Sequence, residues 1–426
     1  MVERTLAESL VVEPWWSRWG QEAKELLRTV AQRPLDPLPR LVLADFLEEQ
    51  GETARAEFIR LQVERMGECW DWKSDMVATQ REEELLKKHR SEWLQGLPDF
   101  EWRFWGGLIE GVVARGVKQL HEARRHLDVR RVAWEVRQRG TFQRNLSALS
   151  GVVALNLSGA WIDAEVVAEL MASSHLQSLT SLDLRNTHLG PEGAEVLAQS
   201  PSATNLTTLT LWKGQLGSEG MQALVESPYL TNLTALNLRG NEIEADGVTA
   251  LTSSNSLQNL TMLNLDDNRL GAAGTQALGQ SPCLQNLSTL SLNFNMVGET
   301  GATILAMSAH LQNLTTLNLS SNFIGPLGAA VLALSPYLTK LTRLNLRYND
   351  LGDQGVKVLL ASAHLQNLTW LDLSLNQIGD EGAKMLAKCP NLKNLTHLGF
   401  WGNTISDKGL SALQKSRHLR QCKIVF

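Results

Sequence analysis

Four histidines, His175, His310, His364 and His418, recur in one column of a periodic chain, as the ligands of a metal ladder would. Neighbouring strands lie about 4.8 Å apart, so His310 and His364, two periods apart, stand about 10 Å from each other. Zinc ligands sit about 2 Å from the ion, so these two cannot share one. The column reads as solvated side chains where helices end. His121 and His126, in HEARRH, are five apart rather than the four of a helical zinc motif, and read as a solvated helix face. Cys69 and His89 are a nucleophile and a base by type, but nothing local joins them. The string WGGLIEG around Gly106 lacks both the Lys-Ser/Thr of a phosphate loop and the spacing of a dinucleotide fingerprint, and reads as a tight entry into a capping strand. These residues support no catalytic, metal or cofactor chemistry, and neither an enzyme nor a small-molecule substrate is expected.

A second group suits recognition. Arg185, Trp212, Lys213, Arg239 and Phe294 fall in the first part of the periodic region, and Arg343, Arg347, Tyr348, Trp370, His397 and Trp401 gather towards its end. Trp, Tyr and Arg dominate interface hot spots, because each offers a large contact area with a polar handle. The later cluster is the expected anchor. The alternative is that Trp370 and Trp401 cover the open end of the array.

The elements that position these residues are written as a repeat. Leu179, Leu206, Leu233, Leu260, Leu287, Leu314, Leu341, Leu368 and Leu395 follow one another at steps of 27, and Val152 extends the series backwards to ten blocks. Leu314, Leu317, Leu319, Asn322, Ile324, Gly325, Gly328, Ala329, Leu332, Ala333, Ser335 and Leu338 show one block in full. The L-x-L portion alternates as a strand with one buried and one open face must. Ala329, Leu332 and Ala333 fall at helical spacing behind Pro326, which suits a first helical turn. Block positions 3, 5 and 7 should face the open side. Position 5 is polar in nine blocks, from Asn156 to Asp372, with Gly399 the exception.

This pattern resembles the leucine-rich repeat family, most closely its ribonuclease-inhibitor-like class, from Val152 to the C-terminus. The resemblance implies an α/β right-handed solenoid, with a curved parallel sheet inside and helices outside. In the family the block's Asn bonds backbone groups as the chain leaves the strand. Here that position is Ala160, Thr187 and Gly214 in the first three blocks and Asn from Asn241 to Asn403, so the early repeats should be less regular. One strand-helix unit cannot bury its apolar face alone, and stacking supplies the missing neighbour. IEGVVA from Ile109 and VRRVAW from Val129 read as shortened capping repeats, and CKIVF as a last cap strand.

Upstream the texture changes: nine of the 13 Trp lie before residue 135, namely Trp15, Trp16, Trp19, Trp70, Trp72, Trp93, Trp102, Trp105 and Trp134. Helical patterns run through QEAKELLRTVAQ, LPRLVLADFLEEQG and ARAEFIRLQVERM, with Gly51 as a stop. Residues Pro37 to Gln62 resemble the bacterial repeat-companion domain, a small helical module found ahead of repeat arrays. The expected organisation is a helical domain over 1–104, degenerate capping repeats over 105–151, ten repeats over 152–421 and a cap strand over 422–426.

The 426 residues carry a formal charge of −5 and 43% hydrophobic residues, which gives no reason for bulk attraction to nucleic acid or to lipid. Four cysteines without a CxxC spacing fit a reducing compartment. The first ten residues lack the apolar segment of an export signal, and a cytoplasmic location is expected. The uncharged run from Asn145 to Ile162 falls into the repeat register rather than spanning a membrane. Seven Asn-Leu-Thr/Ser sequons, from Asn205 to Asn394, read as by-products of the repeat. Between Arg115 and Arg144 nine basic residues oppose Glu122, Asp128 and Glu135, a local net of +6, which reads as a solvated cap surface. The function expected is a non-enzymatic recognition scaffold with a protein partner. Regulation of a GTPase or other enzyme by docking, and nucleic-acid binding through the basic segment 115–144, are the alternatives.

Overall fold

The L-x-L segments form short strands because their leucines, buried at every second residue, leave the intervening side chains on the other face. The computed structural model describes residues 20–32, 36–64, 80–105, 108–127, 129–135, 143–252, 254, 256–362 and 366–426. The chain divides into two units, one of Met1–Trp161 with Ser173–Arg185 and one of Ile162–Ala172 with Asn186–Phe426.

In the first unit, helices α1 (Gly20–Gln32), α2 (Pro37–Glu49) and α3 (Thr53–Glu64) follow the three helical patterns, and α4 (Gln80–Trp93) is a fourth that the sequence reading lacked. Its string, QREEELLKKHRSEW, is so polar that its buried side, which includes Glu82, Leu85 and Trp93, shows no apolar stripe. The Asp36 side chain accepts from the Leu38 backbone N–H at the start of α2, and Gly51 ends the turn after it at φ +85°. Ala23, Val30, Leu43, Leu47, Ala56 and Ile59 form the core beneath these helices. Strand β1 (Glu101–Trp105), also unanticipated, pairs antiparallel with β2 (Leu108–Ala114). Then β3 (Arg131–Trp134), β4 (Ala154–Asn156) and β5 (Ser181–Asp183) add in parallel, with α5 (Val117–His126) between β2 and β3. Arg40 on α2 is fully buried, donates to the Trp105 carbonyl and pairs with Glu110 at 2.5 Å. Arg55 on α3 lies 4.6 Å over the Trp93 ring, and burial pushes its guanidinium down to about 9.

The second unit holds β6 (Thr208–Thr210), β7 (Ala235–Asn237), β8 (Met262–Asn264), β9 (Thr289–Ser291), β10 (Thr316–Asn318), β11 (Arg343–Asn345), β12 (Trp370–Asp372), β13 (His397–Gly399) and β14 (Lys423–Val425). They run parallel in a constant register, so that Leu317 faces Leu344, Leu344 faces Leu371 and Leu371 faces Leu398. A helix follows each strand except the last, as in Gly325–Ala333 with Pro326 in its first turn. Gly325 enters that helix at φ +63°, and Gly328 permits close stacking, since a Cβ there would meet Ile324 at 2.6 Å and Ala302 at 3.2 Å. Among the described residues, no helix is long and apolar enough to cross a membrane.

Polar ladders hold the repeats in register. Asn322 Oδ1 accepts from the Asn295 and Val297 N–H groups of the preceding repeat, while its Nδ2 donates to the carbonyls of Leu292 and Ser320. The same pattern runs through the seven repeats that carry the Asn, and its first bond reaches back to Gly214 N. The division into units falls among the repeats in which Ala160, Thr187 and Gly214 replace it. The sequons also have a structural role. The side-chain amides of Asn232, Asn259, Asn286, Asn313, Asn367 and Asn394 each donate to a carbonyl 28 residues earlier. The hydroxyl two residues after each of these Asn, as in Thr261 and Thr369, donates to the carbonyl 27 residues before it.

Candidate functional site

Strands whose fifth block residue is Asn or Asp end in a turn built from that side chain. Asn237, Asn345 and Asp372 accept from the backbone N–H two residues on, at 3.1, 3.0 and 2.8 Å. This turn precedes Arg185, Arg239 and Arg347 at position 7, where Trp212 and Trp401 also stand.

The expected binding residues end in three environments. Arg185, in the first unit, is 4% exposed, and its Nε sits 2.9 Å from Asp183 Oδ2. Burial pushes its guanidinium down to about 10, so this side chain belongs to the fold rather than to an exposed face. Trp212, Lys213 and Arg239, in the second unit, form a local stack: the Arg239 guanidinium lies 5.1 Å over the Trp212 ring and the Lys213 ammonium 5.9 Å from it. The half-buried indole packs towards Gly240, where an added Cβ would meet its Cδ1 at 3.6 Å. Phe294, by contrast, is exposed.

The later residues come together. Position 3 aligns Arg343, Trp370, His397 and Lys423 across β11 to β14 in register. The Trp370 and His397 rings stack at 5.3 Å with an interplanar angle of 4°, and the Arg343 guanidinium lies 5.9 Å from the Trp370 centroid. Position 7 makes a second row in which Arg347 reaches past buried Ser374 to lie 5.4 Å over Trp401. Between the rows lies Gly399 beside Asp372, whose carboxylate takes the space of a Cβ at Gly399, and Ser374 is the small member of the second row. Burial pulls the His397 imidazole below its ordinary range, Asp372 opposes this, and Lys423 and Arg343 add to it.

The Leucine Rich repeat family model matches residues 175–198, 229–251, 256–279, 310–333, 337–360, 364–387 and 391–413. These segments are leucine-rich repeats. A solved structure of an internalin from Listeria monocytogenes matches at 19% identity over 66% of this chain and 88% of that one, with a TM-score of 0.36, too low to support any argument. No curated protein matches.

Within the leucine-rich repeats the structure adds residues that the sequence reading passed over. Met296 and Phe323 stand at block position 10 and are exposed, as are Phe294 and Tyr348 at position 8. All four have φ between 54° and 57°, a left-handed conformation that costs a bulky L-residue about 1–2 kcal/mol. The signal of Met296 and Phe323 in the sequence is an apolar residue where other repeats place Gln215, Glu242, Arg269, Asp350 or Gln377.

The residues considered for chemistry lie apart. His89 stacks on Trp93 at 5.5 Å, while Cys69, Gly106, Gly107 and His364 fall outside the described residues. His126 lies 3.4 Å from Glu122 on α5. Among the described residues, no three His, Cys, Asp or Glu are grouped to hold a metal ion. In the basic segment, Arg115 pairs with Glu135, Arg125 with Glu122 and Arg131 with Glu110, and the Arg131 guanidinium lies 3.8 Å over Trp105. Arg137 and Arg139 lie outside the described residues.

Proposed function

We propose that this chain is a non-enzymatic recognition scaffold that binds a protein partner on the open strand face of its last repeats, through Arg343, Arg347, Tyr348, Trp370, His397 and Trp401. The observation behind this reading is Trp401, 51% exposed with a guanidinium on one ring face. An aromatic group left in water at a rigid position is a contact surface awaiting a partner. Rigidity comes from the Asn ladder beneath, so little conformational freedom is lost on binding. Phe294, Met296 and Phe323 extend the surface along the strand-exit edge, and Lys213 adds an exposed cation further back.

The nucleic-acid alternative finds less support, since several cations of the described basic segment already pair with carboxylates or stack on Trp105. For the N-terminal helices we propose the repeat-companion type of module that Pro37 to Gln62 resembles.

The test is capture from cell lysate by the full chain and by an Arg347→Ala, Trp370→Ala, Trp401→Ala variant, with thermal melting as the folding check. Proteins retained by the native chain and lost by the variant support the assignment. Equal capture by both chains overturns it.

A further inference from the structure

We infer that the last four strands take an acidic, extended peptide segment, laid across the strands between the two rows of large side chains. This rests on the open face of the late repeats being the binding face, and adds the chemistry of what binds there.

The charge of the patch runs against that of the chain. The whole protein is −5, yet Arg343, Arg347 and Lys423 project from this face with Asp372 as the only carboxylate in its strands. No ion pair to Arg347 occurs among the described residues, and its guanidinium lies 5.4 Å over the Trp401 ring. A guanidinium fixed in this way presents its N–H edge as a fork that matches a carboxylate. Arg343 is held similarly, beside the Trp370 ring.

Relief and spacing favour a peptide. Position 7 lies two residues past the strand that holds position 3, and four residues reach at most about 13 Å, which gives one extended chain room between the rows. Gly399 keeps the middle low, and buried Ser374 leaves a gap in the second row. Asp372, in that middle, suits a backbone N–H of the segment, while acidic side chains reach the cations on either side. Exposed Tyr348 and Trp401 supply apolar contact beside them.

A single-stranded nucleic acid fits less well. Base stacking needs open ring faces, and Trp370 has His397 stacked on one and Arg343 beside the other. Trp401 offers one open face only.

The experiment is selection of a displayed library of random dodecapeptides on the full chain and on an Arg343→Gln, Arg347→Gln variant, with binding of a dT12 oligonucleotide measured alongside. Both arginines are exposed, so the variant should melt at the native temperature. The expected result is enrichment of Asp and Glu on the native chain and its loss on the variant. Resynthesised peptides should bind the variant about tenfold more weakly, which corresponds to about 1.4 kcal/mol. Enrichment without acidic bias, enrichment equal on both chains, no enrichment, or tighter binding of dT12 would each overturn the inference. Capture of a protein that depends on Trp370 and Trp401 but not on the two arginines would leave the recognition face standing while removing its acidic preference.

Discussion

Arg185 and Arg347 each follow a strand by two residues, yet the first is buried against Asp183 and the second lies exposed against Trp401. The difference lies at the fifth block position. Where it is Asp183, a carboxylate within reach draws the guanidinium down onto the sheet. The Oδ1 of Asp183 and of Asn345 alike accepts from the N–H two residues on. Asp183 keeps a second oxygen for the guanidinium, whereas Asn345 has none and the Arg347 side chain reaches outward to an aromatic face. One strand-end residue thus decides whether an arginine serves the fold or the surface. The frames beneath differ too, since Asn349 closes four hydrogen bonds where Thr187 stands in the earlier repeat.

The largest effect expected is from that frame. Asn349→Ala strands the N–H groups of Asn322 and Ile324, takes the Asn donor from the Leu319 carbonyl, leaves the Arg347 carbonyl with the Ser321 N–H alone, and should cost about 3–4 kcal/mol in urea denaturation, since buried polar groups left unpaired cost about 1–3 kcal/mol each. A loss below about 1 kcal/mol would mean that the ladder is not what holds the late repeats. Next, Asp183→Ala leaves Arg185 buried beside a lost carboxylate and should destabilise by about 3 kcal/mol, the cost of breaking a buried ion pair. Arg347→Ala, at an exposed site, should stay within about 0.5 kcal/mol of the native chain while weakening partner capture. If the two variants melt alike, the contrast between the arginines is wrong.

Asn345→Asp converts the later site towards the earlier one. A carboxylate beside Arg347 should compete with Trp401 for the guanidinium and lower affinity for the partner about tenfold, with little change in melting temperature. Trp401 fluorescence reports the same event, because losing the cation from its ring alters the indole's surroundings. Unchanged fluorescence and unchanged capture would show that the fifth position does not steer the seventh.

The period of 27 placed the strands and the helices behind them, because every block must bury the same leucines against its neighbours. The missing Asn at Ala160, Thr187 and Gly214 likewise told where the ladder starts. Helix α4 was not legible, since its buried side includes Glu82 and a Trp reached only through tertiary contacts. Neither was the burial of Arg185, which depends on a two-residue contact that the repeat pattern treats as two open-face positions. Trp370, His397 and Trp401 could be placed on one face from their block positions. That Arg347 bridges two strands to Trp401 required knowing that Ser374 between them is small and buried. Met296 and Phe323 escaped notice because attention to the strand's open face ignores the left-handed exit turn that exposes them.

The smallest effect expected, and the most discriminating in sign, concerns His397. Burial holds its imidazole below the ordinary histidine range, so it is neutral near pH 7 and stacks on Trp370; Asp372 favours the charged form, while Lys423 and Arg343 disfavour it. A histidine whose folded value lies below its unfolded one contributes its full stability above the unfolded value, about 6.5, and loses it as pH falls from there through the depressed folded value. Melting temperature should therefore drop over that window in the native chain and less in a His397→Phe variant, which keeps the stack and cannot titrate. Affinity for an acidic segment should move the other way, because a protonated His397 adds a positive charge beside Arg343 and Lys423. A patch that loses stability and gains affinity on the same protonation ties the titration to the binding face. If both quantities fall together, or if the His397→Phe variant follows the native curve, His397 is only a spacer between Trp370 and Lys423, and the late repeats read charge through their arginines alone.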